Sequence, residues 1–133
     1  MRVESRHISE WIARSAVDVY EYVSHPANIP EWAPGLGTAV ENDGGRWYVE
    51  TPSGRAGVAF VERNQFGVLD HEVTLPSGGV VSIPMRVVPD GDGSEITFWL
   101  RRLPGMSDEE FERDASLVQA DLGRLKRILE SPR

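Results

Sequence analysis

Hydrophobic and polar positions alternate along Arg2–Ala13, with Ile8, Glu10 and Ile12 on one side, and this predicts a first strand. The period then lengthens. Ser15 and Asp18 stand where a capping pair would, and Ala16, Val19, Tyr20 and Val23 keep helical spacing, so a short helix follows. Pro26, Pro30 and Pro34 stop it and leave room for one further helical turn around Ile29–Trp32. From Leu36 to Arg102, short runs of β-formers are separated by "ENDGG", "TPSG", "NQFG", "PSGG" and "PDGDG". That punctuation predicts about six strands joined as consecutive antiparallel hairpins. In "PGMSDEEFERDASLVQADLGRLKRILESPR" the helical period returns: Phe111, Ala115, Val118, Leu122, Leu125 and Leu129 mark one face of a helix of roughly six turns. Ser107 with Glu110 forms its capping box and Pro132 ends it. Gly123 costs ~1 kcal/mol relative to alanine there, and either relieves a close contact or is simply tolerated.

A sheet with one apolar face and a long helix with one apolar stripe bury both surfaces if the sheet curves around the helix. The expected fold class is therefore α+β: a curved antiparallel sheet of about seven strands gripping the C-terminal helix, with two short helices after the first strand. Such a sheet cannot fill its whole concave side. A pocket is expected between sheet and helix, opening near the short helices.

Strand alternation in "VLDHEVTL" puts Leu69, His71 and Val73 on one face and Asp70, Glu72 and Thr74 on the other. A four-residue loop at Asn64–Gly67 sets Phe60 opposite His71, with Val58 and Glu62 on the same face. A loop from Pro89 to Ser94 sets Val87 against Ile96, Met85 against Phe98, Ile83 against Leu100 and Val81 against Arg102. The middle hairpin needs an odd-length loop at "PSGG", which a glycine in a bulge permits. The pocket should accordingly be lined by Trp32, Val58, Phe60, Leu69, His71, Val73, Ile83, Met85, Phe98, Leu100 and Arg102, with Phe111, Ala115, Val118 and Leu122 from the helix opposite.

Four polar residues share the inner-face parity: Glu10, Glu62, His71 and Arg102. Burying any of them unpaired costs on the order of 1–3 kcal/mol, so each must find a partner, water or a ligand. For His71 three readings stand: a core histidine with a satisfied hydrogen bond, a ligand-orienting contact, or a general acid/base. Asp70 faces the other way, so a carboxylate orienting His71 would be Glu10 or Glu62. Arg102 is either a clamp for a substrate carboxylate or an exposed strand-end arginine. Trp32 is a pocket lid or a core anchor. Trp99, on the outer face beside Arg86 and Arg101, stacks on arginine or marks a dimer contact.

Composition narrows the function classes. The chain's 133 residues suit one domain spanning 1–133. It has no cysteine, which removes disulfides, thiolate metal sites and cysteine nucleophiles. His7 and His25 do not converge, so neither metal nor cofactor is expected. With 21 acidic against 14 basic residues the formal charge is -7, which opposes nucleic acid and anionic lipid surfaces. No stretch approaches the roughly 20 apolar residues of a membrane span, nor is there an apolar leader, so a cytoplasmic protein is expected. Arginine dominates the basic residues, Lys126 being the only lysine, as in a GC-rich bacterial genome.

The segments "IARSAVDVYEYVSHPANIPEW", "FGVLDHEVTLPSG", "GSEITFWLRRLPGMSDEEF" and "DLGRLKRILE" together resemble the START-like, or helix-grip, superfamily. The resemblance points in particular to its bacterial polyketide cyclase/dehydrase-like branch, the SRPBCC proteins, and covers nearly the whole chain. It implies a helix-grip fold of the START/Bet v 1 type. The glycine-rich loop of the plant pathogenesis-related members is not matched, no Rieske-type pattern occurs, and a long helix at the C-terminus differs from NTF2-like cyclases. Because the superfamily spans lipid carriers, hormone receptors, aromatase/cyclases and chaperone activators, the fold does not fix the activity. Three functions follow as expectations. The first is binding of a small hydrophobic or aromatic metabolite, polyketide-, lipid- or quinone-like, by a monomer or homodimer. The second is a polyketide cyclase/dehydratase-type enzyme with His71 as acid/base and Glu10 or Glu62 nearby. The third is a protein-interaction or chaperone-activator module using the face around Trp99.

Overall fold

The computed structural model describes residues 3–132. Strand β1 (Ser5–Ile12) leads into α1 (Ala16–Val23), a 3-10 turn at Pro26–Asn28 and the single turn α2 (Ile29–Trp32). Strands β2 (Val40–Asp43), β3 (Arg46–Thr51), β4 (Gly54–Phe60), β5 (His71–Thr74), β6 (Val80–Ile83), β7 (Met85–Asp90) and β8 (Gly93–Arg101) follow, and α3 (Asp108–Glu130) closes the chain. Of the expected first strand, Arg2 lies outside the described residues. Both caps form as the side chains dictate. Ser15 accepts from the Asp18 amide at 3.1 Å. Ser107 and Glu110 exchange both bonds of a capping box, 3.1 and 2.9 Å.

All pairings are antiparallel, but the strands fall into two hydrogen-bonded groups, β1-β8-β7 and β2-β3-β4-β5-β6. Proline explains the division. Pro84 has no N–H to donate, so the ribbon formed by β6 and β7 breaks there. The Asp70 carboxylate spans the break, accepting from the Met85 amide at 2.9 Å and from Arg86 at 3.0 Å. On its far side the Leu69 amide donates to the Met85 carbonyl at 2.8 Å and the Val87 amide to the Gly67 carbonyl at 3.0 Å. Counted as one interrupted strand, β6 and β7 bring the sheet to about seven strands, as the turn punctuation implies.

The registers follow the apolar faces with one correction. Phe60 pairs with His71, Val87 with Ile96 and Met85 with Phe98. The "PSGG" hairpin closes through an odd-length loop, with Thr74 opposite Val80 and Gly78 at φ 97. Ile83 and Val81, however, pair with His71 and Val73 rather than with Leu100 and Arg102. Pro84 again is the cause, because β7 alone continues along β8.

The core sits between sheet and α3, where Ile12, Val19, Val23, Met85, Ile96, Leu122 and Leu125 are fully buried. The C-terminal end of α3 is pinned to the N-terminal strand. Lys126 donates to the Trp11 carbonyl at 2.8 Å, the Ala13 amide to Glu130 at 2.8 Å, and Arg14 to the Leu129 carbonyl at 2.7 Å. No helix among the described residues is long and apolar enough to cross a membrane. At Gly123 an added Cβ would meet only the Arg127 guanidinium, at 3.7 Å, so this glycine relieves no close contact.

Candidate functional site

The stretch of α3 from Asp114 to Leu122 roofs a space that the sheet does not fill. A cavity of ≈ 210 Å³ lies there. From the sheet come Phe60, His71, Ile83, Met85, Phe98 and Leu100, and from the helix Val118 and Leu122. Trp32 closes a further side, buried to 5% exposure, so that it is at once wall and core anchor. Its indole Nε1 is buried without a hydrogen-bond partner among the described residues.

His71 stands in this wall because residue 71 has inner-face parity and Phe60 opposite it supplies an aromatic plane. The two rings stack at 4.9 Å with an interplanar angle of 28°, and Phe98 meets the imidazole edge-on at 6.3 Å. The side chain is 5% exposed, and its Nδ1 lies 3.0 Å from the Leu69 carbonyl. A carbonyl only accepts, so Nδ1 carries the hydrogen and the neutral ring holds Nε2 as an acceptor. Nε2 finds no partner among the described residues. Burial pushes the His71 pKa down, opposed by the bond to Leu69 and the charge of Asp70.

Several expected site residues lie elsewhere. Val58, Leu69 and Val73 are buried in the core beside the cavity rather than in its wall, because the large rings of Phe60 and His71 stand in front. Ala115 is likewise core. Phe111 packs at the far end of α3 beneath Arg6 and Arg102, 5.1 and 5.6 Å from its ring centre. Arg102 is no clamp in the cavity: its guanidinium pairs with Glu4 at 3.1 Å and Asp108 at 2.7 Å and donates to the Met106 carbonyl at 2.9 Å. Nor do the two glutamates approach His71. Glu10 faces α3 and meets Gln119 at 3.4 Å, while Glu62 is exposed past the end of β4, where Asn64 turns the chain through bonds to Val68 and Phe66. Trp99 meets His7 at 5.1 Å rather than an arginine.

Other wall residues went unpredicted. Ile29, Ala33 and Leu36 join Trp32 from the segment around α2, and Asp114, Leu117 and Asp121 join Val118 from α3. Both sets have the spacing i, i+3, i+4, i+7, the sequence signal of one helical face. Asp121 is 8% exposed, accepting from the Gly35 amide at 3.3 Å and from Arg124 at 3.0 Å. A Cβ on residue 35 would come within 2.7 Å of its Oδ2, so a glycine is needed for this approach. Burial raises the Asp121 pKa against the lowering effects of Gly35 and Arg124. Burial and then Glu110 raise that of Asp114, with Arg113 opposing. No cluster of metal-ligating side chains occurs among the described residues.

Comparison with known proteins agrees with this architecture. The family described as "Polyketide cyclase / dehydrase and lipid transport" matches residues 7–130. No curated protein sequence matches. Among solved structures, DynU16 of the dynemicin biosynthetic locus superposes with a TM-score of 0.73 at 17% identity, over 96% of this chain and 47% of that one. The chain thus spans about half the length of DynU16. CalU16 from Micromonospora echinospora gives 0.69 at 14% identity, covering 98% of this chain and 78% of its own. The Aha1 dimer from Colwellia psychrerythraea gives 0.72 at 12% identity, covering 96% of each chain. At these identities the likeness is one of fold.

Proposed function

Because the chain belongs to the polyketide cyclase/dehydrase and lipid transport family, we propose that it binds a small hydrophobic or aromatic metabolite, polyketide-, lipid- or quinone-like, between the sheet and α3. One observation carries the reading: a mostly apolar cavity into whose wall the sheet sets an imidazole with an unpaired acceptor. An apolar body gains from leaving water there, and a polar group on it gains orientation from His71. The volume lies below the roughly 300–1,000 Å³ of drug-sized ligand sites, which favours a compact guest. Thermal melts with a panel of polyketide-like, lipid and quinone compounds test this. A true ligand at 100 times its Kd stabilises the fold by about 2.7 kcal/mol. Val118→Trp, which fills the cavity, abolishes that gain. A panel that leaves the melting temperature unmoved, or moves it equally in Val118→Trp, refutes the reading.

The same imidazole favours a second reading, a cyclase or dehydratase that uses His71 as its base. Its lowered pKa keeps Nε2 able to take a proton at neutral pH. With Glu10 and Glu62 remote, His71 would act without an orienting carboxylate, held instead by the Leu69 carbonyl. Turnover of a polyketide-like substrate should then fall on the order of 10²-fold or more in His71→Ala while binding weakens far less. Full activity in that variant excludes the role.

A further inference from the structure

Apart from the Trp32 indole, the polar side chains in the cavity wall are acceptors. His71 offers the acceptor Nε2 from the sheet. Across from it α3 contributes two carboxylates, Asp114 and Asp121, which are two turns apart and therefore on one side of the helix. Asp121 spends Oδ1 on the Gly35 amide and Arg124, leaving Oδ2 without a partner among the described residues. The Asp114 carboxylate makes no hydrogen bond among the described residues. Among the described residues, no lysine or arginine lines the cavity. Arg124 is committed to Asp121 and to the Trp32 carbonyl, and Arg102 is held by Glu4 and Asp108. The Trp32 indole is a donor, but it is uncharged.

Resting on the binding reading above, we propose that the cavity selects apolar molecules whose polar ends donate hydrogen bonds, aryl alcohols or arylalkyl amines, and rejects carboxylic acids. A hydroxyl donates to Nε2 of His71, and an ammonium group meets Asp121 or Asp114. An ionised acid in the same place faces the Asp114 carboxylate and an Asp121 already paired with Arg124, with no free cation among the described residues to pair it, and its desolvation goes uncompensated. Burial raises the carboxyl pKa of both aspartates, helped at Asp114 by Glu110 and opposed by Arg113 at Asp114 and by Gly35 and Arg124 at Asp121.

Four probes of matched shape test the proposal: naphthalene, 2-naphthol, 2-naphthylmethylamine and 2-naphthoate, titrated by NMR at about pH 7.5, where the acid and amine are charged. The alcohol and the amine should bind at least about tenfold tighter than the acid, the effect of one charge-assisted hydrogen bond. Asp121→Asn, which keeps an acceptor for Gly35, should strengthen naphthoate binding and weaken that of the amine. Asp114→Asn, on a half-buried residue, should do the same and serves if the first variant is unstable. Naphthoate binding as tightly as the amine, or a preference that neither substitution changes, overturns the selectivity while leaving the binding reading intact. If none of the four binds, both fall.

Discussion

His71 shows how one residue's protonation state follows from its place. Its ring stacks on Phe60 in the cavity wall, the Leu69 carbonyl accepts its Nδ1 hydrogen, and burial holds its pKa below the ordinary value of about 6.5. The unfolded chain therefore takes up a proton near that pH while the folded ring stays neutral, so this residue makes stability fall as pH drops from about 6.5 toward its lower folded value. In urea melts across that range, wild type should lose stability more steeply than His71→Phe, with His7 and His25 common to both. Equal slopes would mean that the buried ring takes up its proton as readily as an exposed one. His71 was legible in the sequence because strand parity decides its face. Asp121 was not, since a carboxylate beside an apolar stripe reads as solvated until α2 is seen to cover it.

At the scale of elements, the seam between the two strand groups depends on Asp70. Burial raises its pKa, but the bonds from Arg86 and the Met85 amide, with the charges of Arg86 and His71, together leave it lowered. Asp70→Ala strips the Pro84 break of its bridge and should cost about 1.5–3 kcal/mol, the usual range for hydrogen bonds to a charged group. Because the folded pKa is depressed, that stability is present above the ordinary carboxylate range and is lost as pH falls through the folded value. Denaturant midpoints of the variant and wild type should therefore converge in acid; a gap that persists there contradicts the assignment. In α3, Gly123→Ala should add up to about 1 kcal/mol, because helix propensity improves and the new methyl meets only Arg127. A drop in melting temperature would reveal a contact that the structure lacks.

For the molecule as a whole, the arrangement of layers was readable from periodicity alone, since a stripe of six apolar residues on one long helix needs a concave partner. The seam was harder to foresee. Pro84 sits inside an otherwise regular run, and only its missing N–H, set against β8, shows why β6 departs. The wall of the cavity was half readable. Inner-face parity placed Phe60, His71, Met85 and Phe98, but it could not tell wall from core for Val58, Leu69 and Val73, because that depends on which larger side chains stand in front. It also failed at strand ends, where Glu62 and Arg102 leave the pattern for solvent and ion pairs. α3 is tied down at both ends, by Lys126, Glu130 and Arg14 near the end of β1 and by Glu112 and Asp108 to Arg6 and Arg102, and the cavity lies under the stretch between, beside α2.

If this gap is a binding site, the His71 Nε2 meets its occupant as an acceptor. Nitrogen-15 NMR of the histidine rings, with and without 2-naphthol, tests it most directly. His71 should be neutral with its hydrogen on Nδ1, titrate below the ordinary histidine value, and show an Nε2 resonance that moves on addition of the alcohol. An Nε2–H tautomer, or a resonance indifferent to naphthol at saturating concentration, would contradict it.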